Sequence, residues 1–380
     1  MRVLHVIAGL SASDGGPARA VQECATASAE RGHEVRVLVT DAGLDVGTLQ
    51  RLRDDADVAY DVFSHVGRGP LRVSSGLHQS VRSRVGEVDV VHVHSLYMPH
   101  TLVTLRAALR AGVPCVVRPH GTLGRYQRRH GRSRKLLWDL ATGQTRMLRA
   151  EGVVIHAVSP VEAAEILEVL PDGHVEVAEL GVAAVEVRQA ADRPTALFLG
   201  RIADKKRLDV LFSAMGEIVA SQRDTGSTPV LVLAGERPTD AGRVDRMLDE
   251  AGIRPLVERV GVVEHEHKAA LLASAWCTVL LSEDENFGVA VAESLLAGVP
   301  VVVSDRVAVS EFVKAHPVAG RVVPVADVPA AAHAIGRLLT RPLGLDKRRE
   351  LQALAVEQFG LEGLGVRLDR LYQAAGAVVP

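Results

Sequence analysis

Two carboxylates, Glu285 and Glu293, stand in the stretch 281–305, and their spacing is the first pointer to chemistry. An apolar run at 278–281 ends at Ser282, a polar loop leads to Phe287 and Gly288, and Val289, Ala292, Leu296 and Val299 then recur at helical spacing. Gly298 and Pro300 close the helix. On such a helix the two acids lie roughly 12 Å apart along the axis. One reading is structural: Glu285 favours the positive helix N-terminus and Glu293 belongs to a solvated stripe. The other is chemical. Free N–H groups of the loop and the helix dipole would hold an anion, while both carboxylates hydrogen-bond hydroxyls. A sugar nucleotide carries both features.

A second cluster supports the anion. Gly200-Arg-Ile-Ala-Asp-Lys-Lys-Arg207 follows an apolar run and precedes a helical pattern at 208–220, so Arg201 and Lys206 sit near a helix N-terminus, where cations are disfavoured. A diphosphate would offset them, because a fork-shaped guanidinium and a point-charge ammonium both engage its oxygens. His120 ends the run 113–119, between Pro119 and Gly121; a lone loop histidine is ordinarily of no consequence, and its place at a strand's C-terminal end is what favours a ligand-facing reading. His92 and His94 alternate on one strand face, as in some metal-dependent hydrolases. Such a hydrolase needs further ligands around an eightfold barrel, which two separate sheets do not supply. No metal is therefore assigned, and His94 is left lining a cleft. In Gly9-Leu-Ser-Ala-Ser-Asp-Gly-Gly-Pro17, Gly15 and Gly16 permit close backbone approach and Pro17 suits a first helical position. That spacing is neither Gly-x-Gly-x-x-Gly nor a P-loop, and alone it reads as a turn.

A basic block spans 125–149: Arg125, Arg128, Arg129, Arg132, Arg134, Lys135, Arg146 and Arg149, with only Asp139 opposing and Tyr126, Leu136, Leu137 and Trp138 interleaved. A solvated helix face accounts for it, as does a patch that leans on an anionic membrane or grips an acidic acceptor. Net charge is −2, so no global attraction to nucleic acid follows.

These residues need elements to position them. With 380 residues, 47% of them hydrophobic, the chain is long enough for two domains. Apolar runs at 3–8, 35–40, 88–94, 113–119, 153–158 and 175–179 alternate with helical patterns, and a second series follows at 195–200, 230–235, 257–260, 278–281, 301–304 and 321–324. Such alternation predicts an α/β architecture of two doubly wound, mostly parallel sheets. The aperiodic stretch 181–194 separates a domain at 1–185 from one at 190–360, and a last helix at about 361–376 would pack back on the first. Cys24, Cys115 and Cys277 form no Cys-x-x-Cys pair and read as buried, reduced thiols of a cytosolic protein. The first apolar run is too short to span a bilayer, and a polar loop stands where a cleavage site would be expected.

Together, Gly200-Arg201 with Lys206, Glu285-Asn-Phe-Gly-Val-Ala-Val-Ala-Glu293 and Pro119-His120-Gly121 resemble the family-4 glycosyltransferases of GT-B fold, in order along nearly the whole chain. The resemblance implies two Rossmann-like domains facing across a cleft, the N-terminal one binding acceptor and the C-terminal one nucleotide sugar. By it, Arg201 and Lys206 bind the donor diphosphate, Glu293 the ribose and Glu285 the transferred sugar. Backbone groups of Asn286, Phe287 and Gly288 hold the donor, the segment around Val262 contacts the base, Gly15 and Gly16 lie near the phosphates, and His120 joins Glu285 as catalytic. One departure is Arg306-Val-Ala308, where the family often has a Gly-Gly pair.

The implied reaction moves a hexosyl-type residue, with retention, from a UDP- or GDP-sugar to a hydroxyl of a glycan or lipid-linked acceptor, in surface polysaccharide or glycoconjugate synthesis. It needs no metal or other cofactor, and no nucleic acid is a partner. His94, Arg125, Arg128, Arg129, Arg132, Arg134 and Lys135 would meet the acceptor or the inner, cytoplasmic face of the membrane. A nucleotide-sugar 2-epimerase and a catalytically silent nucleotide-sugar-binding module are the alternatives. The Glu285–Glu293 element weighs against the first, and the presence of both His120 and Glu285 against the second.

Overall fold

The computed structural model describes residues 1–380 apart from 12–13, 68, 70, 130–131, 222–227, 264 and 380, and apart from the side chains of Tyr126, Arg129, Arg132, His265 and Glu266. Two compact units result: Met1–Gly181 with Leu361–Pro380, and Val182–Gly360.

The first unit is built on β1 (Arg2–Val6), β2 (Glu34–Thr40), β3 (Val58–Phe63), β4 (Val90–His94), β5 (Cys115–Arg118), β6 (Val153–Ala157) and β7 (Val175–Val177), in the order β3-β2-β1-β4-β5-β6-β7. Every pairing is parallel. Central strands β4, β5 and β6 are buried throughout, which is why they appear as unbroken apolar runs punctuated by histidines. β3 lies outside the expected set. It is a half-buried edge strand: Tyr60 and Val62 pack on the core, while Asp61 takes Arg36 of β2 at 3.1 Å. The closing helix Leu361–Ala374 places Leu364, Leu368, Leu371 and Tyr372 against Val21, Cys24 and Ala25 of helix Gly16–Glu30. Its Asp369 accepts from Arg31 at 3.0 Å and pairs with His33 at 2.7 Å.

The second unit holds β8 (Thr195–Leu199), β9 (Val230–Ala234), β10 (Val257–Gly261), β11 (Cys277–Leu280), β12 (Val301–Ser304) and β13 (Gly320–Val323), ordered β10-β9-β8-β11-β12-β13 and again parallel. In both sheets all strand C-termini therefore reach the same edge, and the order reverses beside the first strand, as in doubly wound folds. The three cysteines are free and buried.

Helix Val289–Leu296, which follows β11, stops as its sequence suggests. Gly298 takes φ +69, and the Val299 N–H returns to the Ser294 carbonyl at 2.9 Å. The stop is reinforced by Arg348, buried at 1% exposure in helix Leu345–Phe359, whose guanidinium donates to the carbonyls of Gly298 at 3.2 Å and Ala273 at 3.1 Å. Burial pushes its pKa down to about 10. A Cβ on Gly298 would lie 2.5 Å from the Arg348 carbonyl oxygen. Gly298→Ala is therefore expected to cost about 1–3 kcal/mol of stability in urea unfolding. Gly242→Ala, in open space within helix Ala241–Glu250, should be neutral or slightly stabilising in the same measurement.

Candidate active site

In the second unit, the β8 and β11 strand ends bring the two predicted clusters together. Gly200 follows β8 directly, and a Cβ on Gly235 would lie 2.3 Å from its carbonyl oxygen, so a glycine is required at this crossing. The chain then turns through Asp204–Lys206. Lys206 Nζ donates to Glu285 Oε2, Lys205 Nζ lies 3.9 Å from Asp284, and the Glu283 N–H donates to the Lys205 carbonyl at 2.8 Å. Lys206 thus has an anion, but it is Glu285 of the same site. Arg201 is exposed and makes no hydrogen bond or ion pair among the described residues. Burial pushes the Glu285 carboxyl up, but the ammoniums of Lys206 and Lys205, the hydrogen bond from Lys206 and the Arg201 guanidinium together hold it below the usual carboxylate range.

Glu293 is buried, at 6% exposure, which removes the solvated-stripe reading. Its Oε1 accepts from Lys268 Nζ at 2.5 Å. Phe287 points inward, edge-to-face on Phe359 with ring centroids 5.8 Å apart, so only its backbone is available to a ligand. Asn286 is half-buried, Gly288 caps the helix at φ +94, and Val262 projects into solvent beyond β10 at 59% exposure. The non-glycine loop after β12 has a definite place: Val307 pairs with the backbone of Glu285, and the Ala308 N–H donates to its carbonyl at 3.3 Å. Lys205, Lys268 and Val307 were not among the expected site residues. Lys268 had a signal, as the last charge before the apolar run 269–273.

In the first unit, Gly15 is the N-cap of helix Gly16–Glu30 with a positive φ of +64, and Pro17 lies in the first turn. Asp14 anchors the preceding loop, paired with Arg72 at 2.7 Å and accepting from Ser11 Oγ at 2.7 Å. Gly16 is exposed, with open space where a Cβ would be.

His120 is half-buried beyond β5, in the left-handed region at φ +52. Glu162, buried at 3% exposure, accepts from the N–H groups of Gly121 at 3.0 Å and Val158 at 2.8 Å, joining the loops after β5 and β6. Ser159-Pro-Val-Glu162 reads as a capping box, so Glu162 was legible as a helix-start residue but not as this staple.

His94 is fully buried and takes no part in a surface patch. It belongs to a histidine layer with His5, His92, His120 and His156. His94 Nδ1 lies 3.3 Å from His120 Nε2, and its Nε2 lies 3.1 Å from His5 Nδ1. His156 Nε2 is 2.7 Å from the Ala178 carbonyl, its Nδ1 is 3.3 Å from His92 Nε2, and His92 Nδ1 is 3.3 Å from the Tyr372 hydroxyl. One nitrogen each from His5, His92 and His94 falls within 4.8 Å of the others, a spacing a metal ion could use. The hydrogen bonds just described already engage His92 and His94.

The basic block is more neutralised than its sequence suggests. Arg125 and Arg128 both pair with Glu168, and Lys135 Nζ donates to the carbonyls of Thr122 and Gln127 at 2.9 Å each. The side chains of Arg129 and Arg132 lie outside the described residues. Arg134, Arg146 and Arg149 are exposed and make no ion pair among the described residues. Leu136, Leu137 and Leu140 of helix Arg132–Thr142 are exposed at 60%, 65% and 75%, an apolar face turned to solvent. Among the described residues, no helix is long and apolar enough to cross a membrane.

Comparison with known proteins follows this division. A family model described as Glycosyltransferase Family 4 matches residues 14–184, and one described as glycosyl transferases group 1 matches 184–356. Between them they cover 14–356, and the chain belongs to the family-4 glycosyltransferases of GT-B fold. It is 28% identical over 186 residues to the alpha-D-kanosaminyltransferase of Streptomyces kanamyceticus, a match spanning 49% of this chain and 47% of that protein. It is 26% identical to the GDP-mannose:cellobiosyl-diphosphopolyprenol alpha-mannosyltransferase of Xanthomonas oryzae pv. oryzae, over 99% of this chain and 98% of that one. The Anabaena protein Alr3699/HepE, solved with UDP-glucose, shares the fold with a TM-score of 0.74 at 16% identity, each chain covered in full.

The histidine layer has a consequence for stability. Burial pushes His5 and His156 down to about 3, and burial with neighbouring imidazoles and Arg118 holds His92 and His94 well below the ordinary value; His120 is lowered likewise by burial, Arg118 and His156. These rings stay neutral in the folded state while unfolded histidines protonate near about pH 6.5. The unfolded chain then binds more protons, so stability is complete above that value and falls as pH drops through the window toward about 3. Each ring contributes up to about 1.4 kcal/mol per pH unit. The urea midpoint should fall clearly between about pH 7.5 and about pH 5; an unchanged midpoint would mean that the rings are not held neutral.

Proposed function

We propose that the protein transfers a hexosyl-type residue from a nucleoside-diphosphate sugar to a hydroxyl of a glycan or lipid-linked acceptor, retaining the anomeric configuration and requiring no metal. The observation that carries this reading is the β8–β11 junction, where the Glu285 carboxylate and three cations, one of them Arg201 with no ion pair among the described residues, share one end of a sheet. In the step, the bond from the anomeric carbon to the diphosphate oxygen breaks with its electron pair on oxygen. The acceptor oxygen bonds the same face, and its proton passes to the departing phosphate.

Arg201 and Lys206 stabilise the charge that develops on the diphosphate. A unit-charge pair near 4 Å at an effective dielectric of 20 is worth roughly 4 kcal/mol before desolvation. Lys206 then divides its N–H groups between Glu285 and phosphate oxygen. Glu285, kept ionised, accepts from the sugar hydroxyls and favours oxocarbenium-like charge. Glu293 bonds the ribose, backbone N–H groups at the start of helix Val289–Leu296 face the donor, and His120 hydrogen-bonds the transferred sugar. Donor-side roles fall to the second unit, the base lying by Val262; Gly15 and Gly16 lie near the phosphates, and the first unit takes the acceptor. Family membership and the Glu285–Glu293 element favour transfer over the epimerase and silent-binder readings.

The printed names of two relatives support the substrates: a diphosphopolyprenol acceptor for the Xanthomonas enzyme and a UDP-glucose complex for the Anabaena protein. The exposed leucines beside Arg134 support an in-plane contact with an anionic membrane, and the cytoplasmic face is the side proposed for the work.

A panel of UDP- and GDP-sugars with polyprenol-linked and glycan acceptors, followed by nucleoside diphosphate release, tests the assignment. Glu285→Gln should lower kcat by about 10²-fold or more, and Arg201→Ala should raise the donor KM. Wild-type rates in both variants would remove the site, loss of release on chelation would sink the metal-free step, and an inverted product anomer would sink retention. For the membrane contact, the triple change of Leu136, Leu137 and Leu140 to Ser should abolish salt-sensitive co-sedimentation with anionic vesicles; no sedimentation of the wild type would overturn it.

A further inference from the structure

Behind His120 the histidine layer forms a directed chain. His120 Nε2 lies 3.3 Å from His94 Nδ1, and His94 Nε2 lies 3.1 Å from His5 Nδ1. His94 and His5 are 0% exposed, and the last atom of the chain, His5 Nε2, is buried with no hydrogen-bond partner among the described residues. A neutral imidazole carries one N–H and one lone pair, so each link uses one of each and the tautomer of one ring fixes the other two. The parallel chain shows the rule completed. Its end at the Ala178 carbonyl demands an N–H on His156 Nε2, so His156 Nδ1 accepts from His92 Nε2–H and His92 Nδ1 accepts from the Tyr372 hydroxyl.

The His120 chain has two states. In one, His120 Nε2–H donates inward and an N–H is stranded at His5 Nε2. In the other, His5 Nδ1–H donates to His94, His94 Nδ1–H donates to His120 Nε2, and only a lone pair is stranded. A buried N–H without an acceptor is the rarer and costlier orphan, so the second state prevails. Protonating the chain is no escape, because Arg118, itself buried at 4% exposure, stands opposite His94 in the β4–β5 register.

We propose that His5 and His94 are positioning residues that lock His120 in its Nδ1–H tautomer, presenting a hydrogen-bond donor to an oxygen of the bound sugar. A hydroxyl there accepts from His120 and keeps its own proton free for another acceptor. The inference deepens the reading that His120 bonds the transferred sugar and rests on it; the tautomer can be read without substrate.

The test uses the full chain labelled with ¹⁵N-histidine, the ring signals of His120 being assigned by their loss in His120→Gln. Nδ1 of His120 should appear protonated and Nε2 unprotonated. His5→Leu should admit the Nε2–H tautomer and lower kcat about five- to tenfold, with the donor KM changed less than about twofold. His5→Asn, whose amide occupies the place of Nδ1 and can donate, should restore both tautomer and rate. A wild-type His120 protonated at Nε2 overturns the proposal even if His5→Leu does not fold. So does a His5→Leu protein with unchanged tautomer and kcat, or one equivalent of Co²⁺ bound by the wild type and lost in His5→Leu, which would make these nitrogens metal ligands. Absence of nucleoside diphosphate release with every donor would instead fail the transferase reading and leave the ring spectrum to be judged separately.

Discussion

The second unit depends on keeping one partly buried carboxylate ionised. Glu285 side-chain exposure is 19% and that of Lys206 is 15%, so neither charge is fully hydrated and each needs the other. A parallel sheet makes the pairing possible, because it delivers the ends of β8 and β11 to one edge although the two residues are far apart in the chain. Removing Lys206 would take from Glu285 its hydrogen-bonded cation and leave only Lys205 and Arg201 to offset its charge; breaking such a pair is costly even when its net contribution to stability is small. The site therefore has its charge arranged before any ligand arrives, and a bound anion has only to share the existing cations.

The first unit solves the opposite problem. Its strand ends hold neutral imidazoles close-packed, with His92 and His94 stacked at 4.3 Å between centroids. Arg118 is a buried cation beside these rings, with the carboxylates of Glu162, which accepts from two backbone N–H groups, and of Glu23 near it. Neutral rings are tolerated because adjacent parallel strands put their nitrogens within reach of one another sideways; each ring would otherwise bury an unmatched donor or acceptor. The same packing holds His120, at φ +52, where its ring joins His94.

Local sequence carried the architecture because strands buried on both faces announce themselves as apolar runs, and the central strands of both sheets are of that kind. Val58–Phe63 escaped because an edge strand buries one face and interposes Asp61, whose partner Arg36 lies on another strand. Candidate site residues could be singled out where a strand end coincided with unusual chemistry, as at His120, Arg201 and Glu285. Their partners could not. Lys268 for Glu293, Glu168 for Arg125 and His5 for His94 are fixed by strand order and crossover, which no local period encodes. The leucines of helix Arg132–Thr142 show the converse: spacing marks which residues share a face, not whether that face turns inward.

The loop after β12 shows how a departure from the family pattern is absorbed. Arg306-Val-Ala308 stands where relatives often have two glycines, and Val307 is buried at 1% exposure. Its backbone pairs with Glu285, and a Cβ on Gly288 would lie 3.0 Å from its Cγ1, so the side chain fills space that glycine at 288 leaves open. The Ala308 N–H is committed to the Glu285 carbonyl and is not offered to a ligand. In this chain the loop therefore acts as a brace: the β12 end fixes the backbone of Glu285 while Lys206, from the β8 end, fixes its side chain. Two independent strand ends then determine where one carboxylate points, which a flexible glycine pair would leave to the ligand itself.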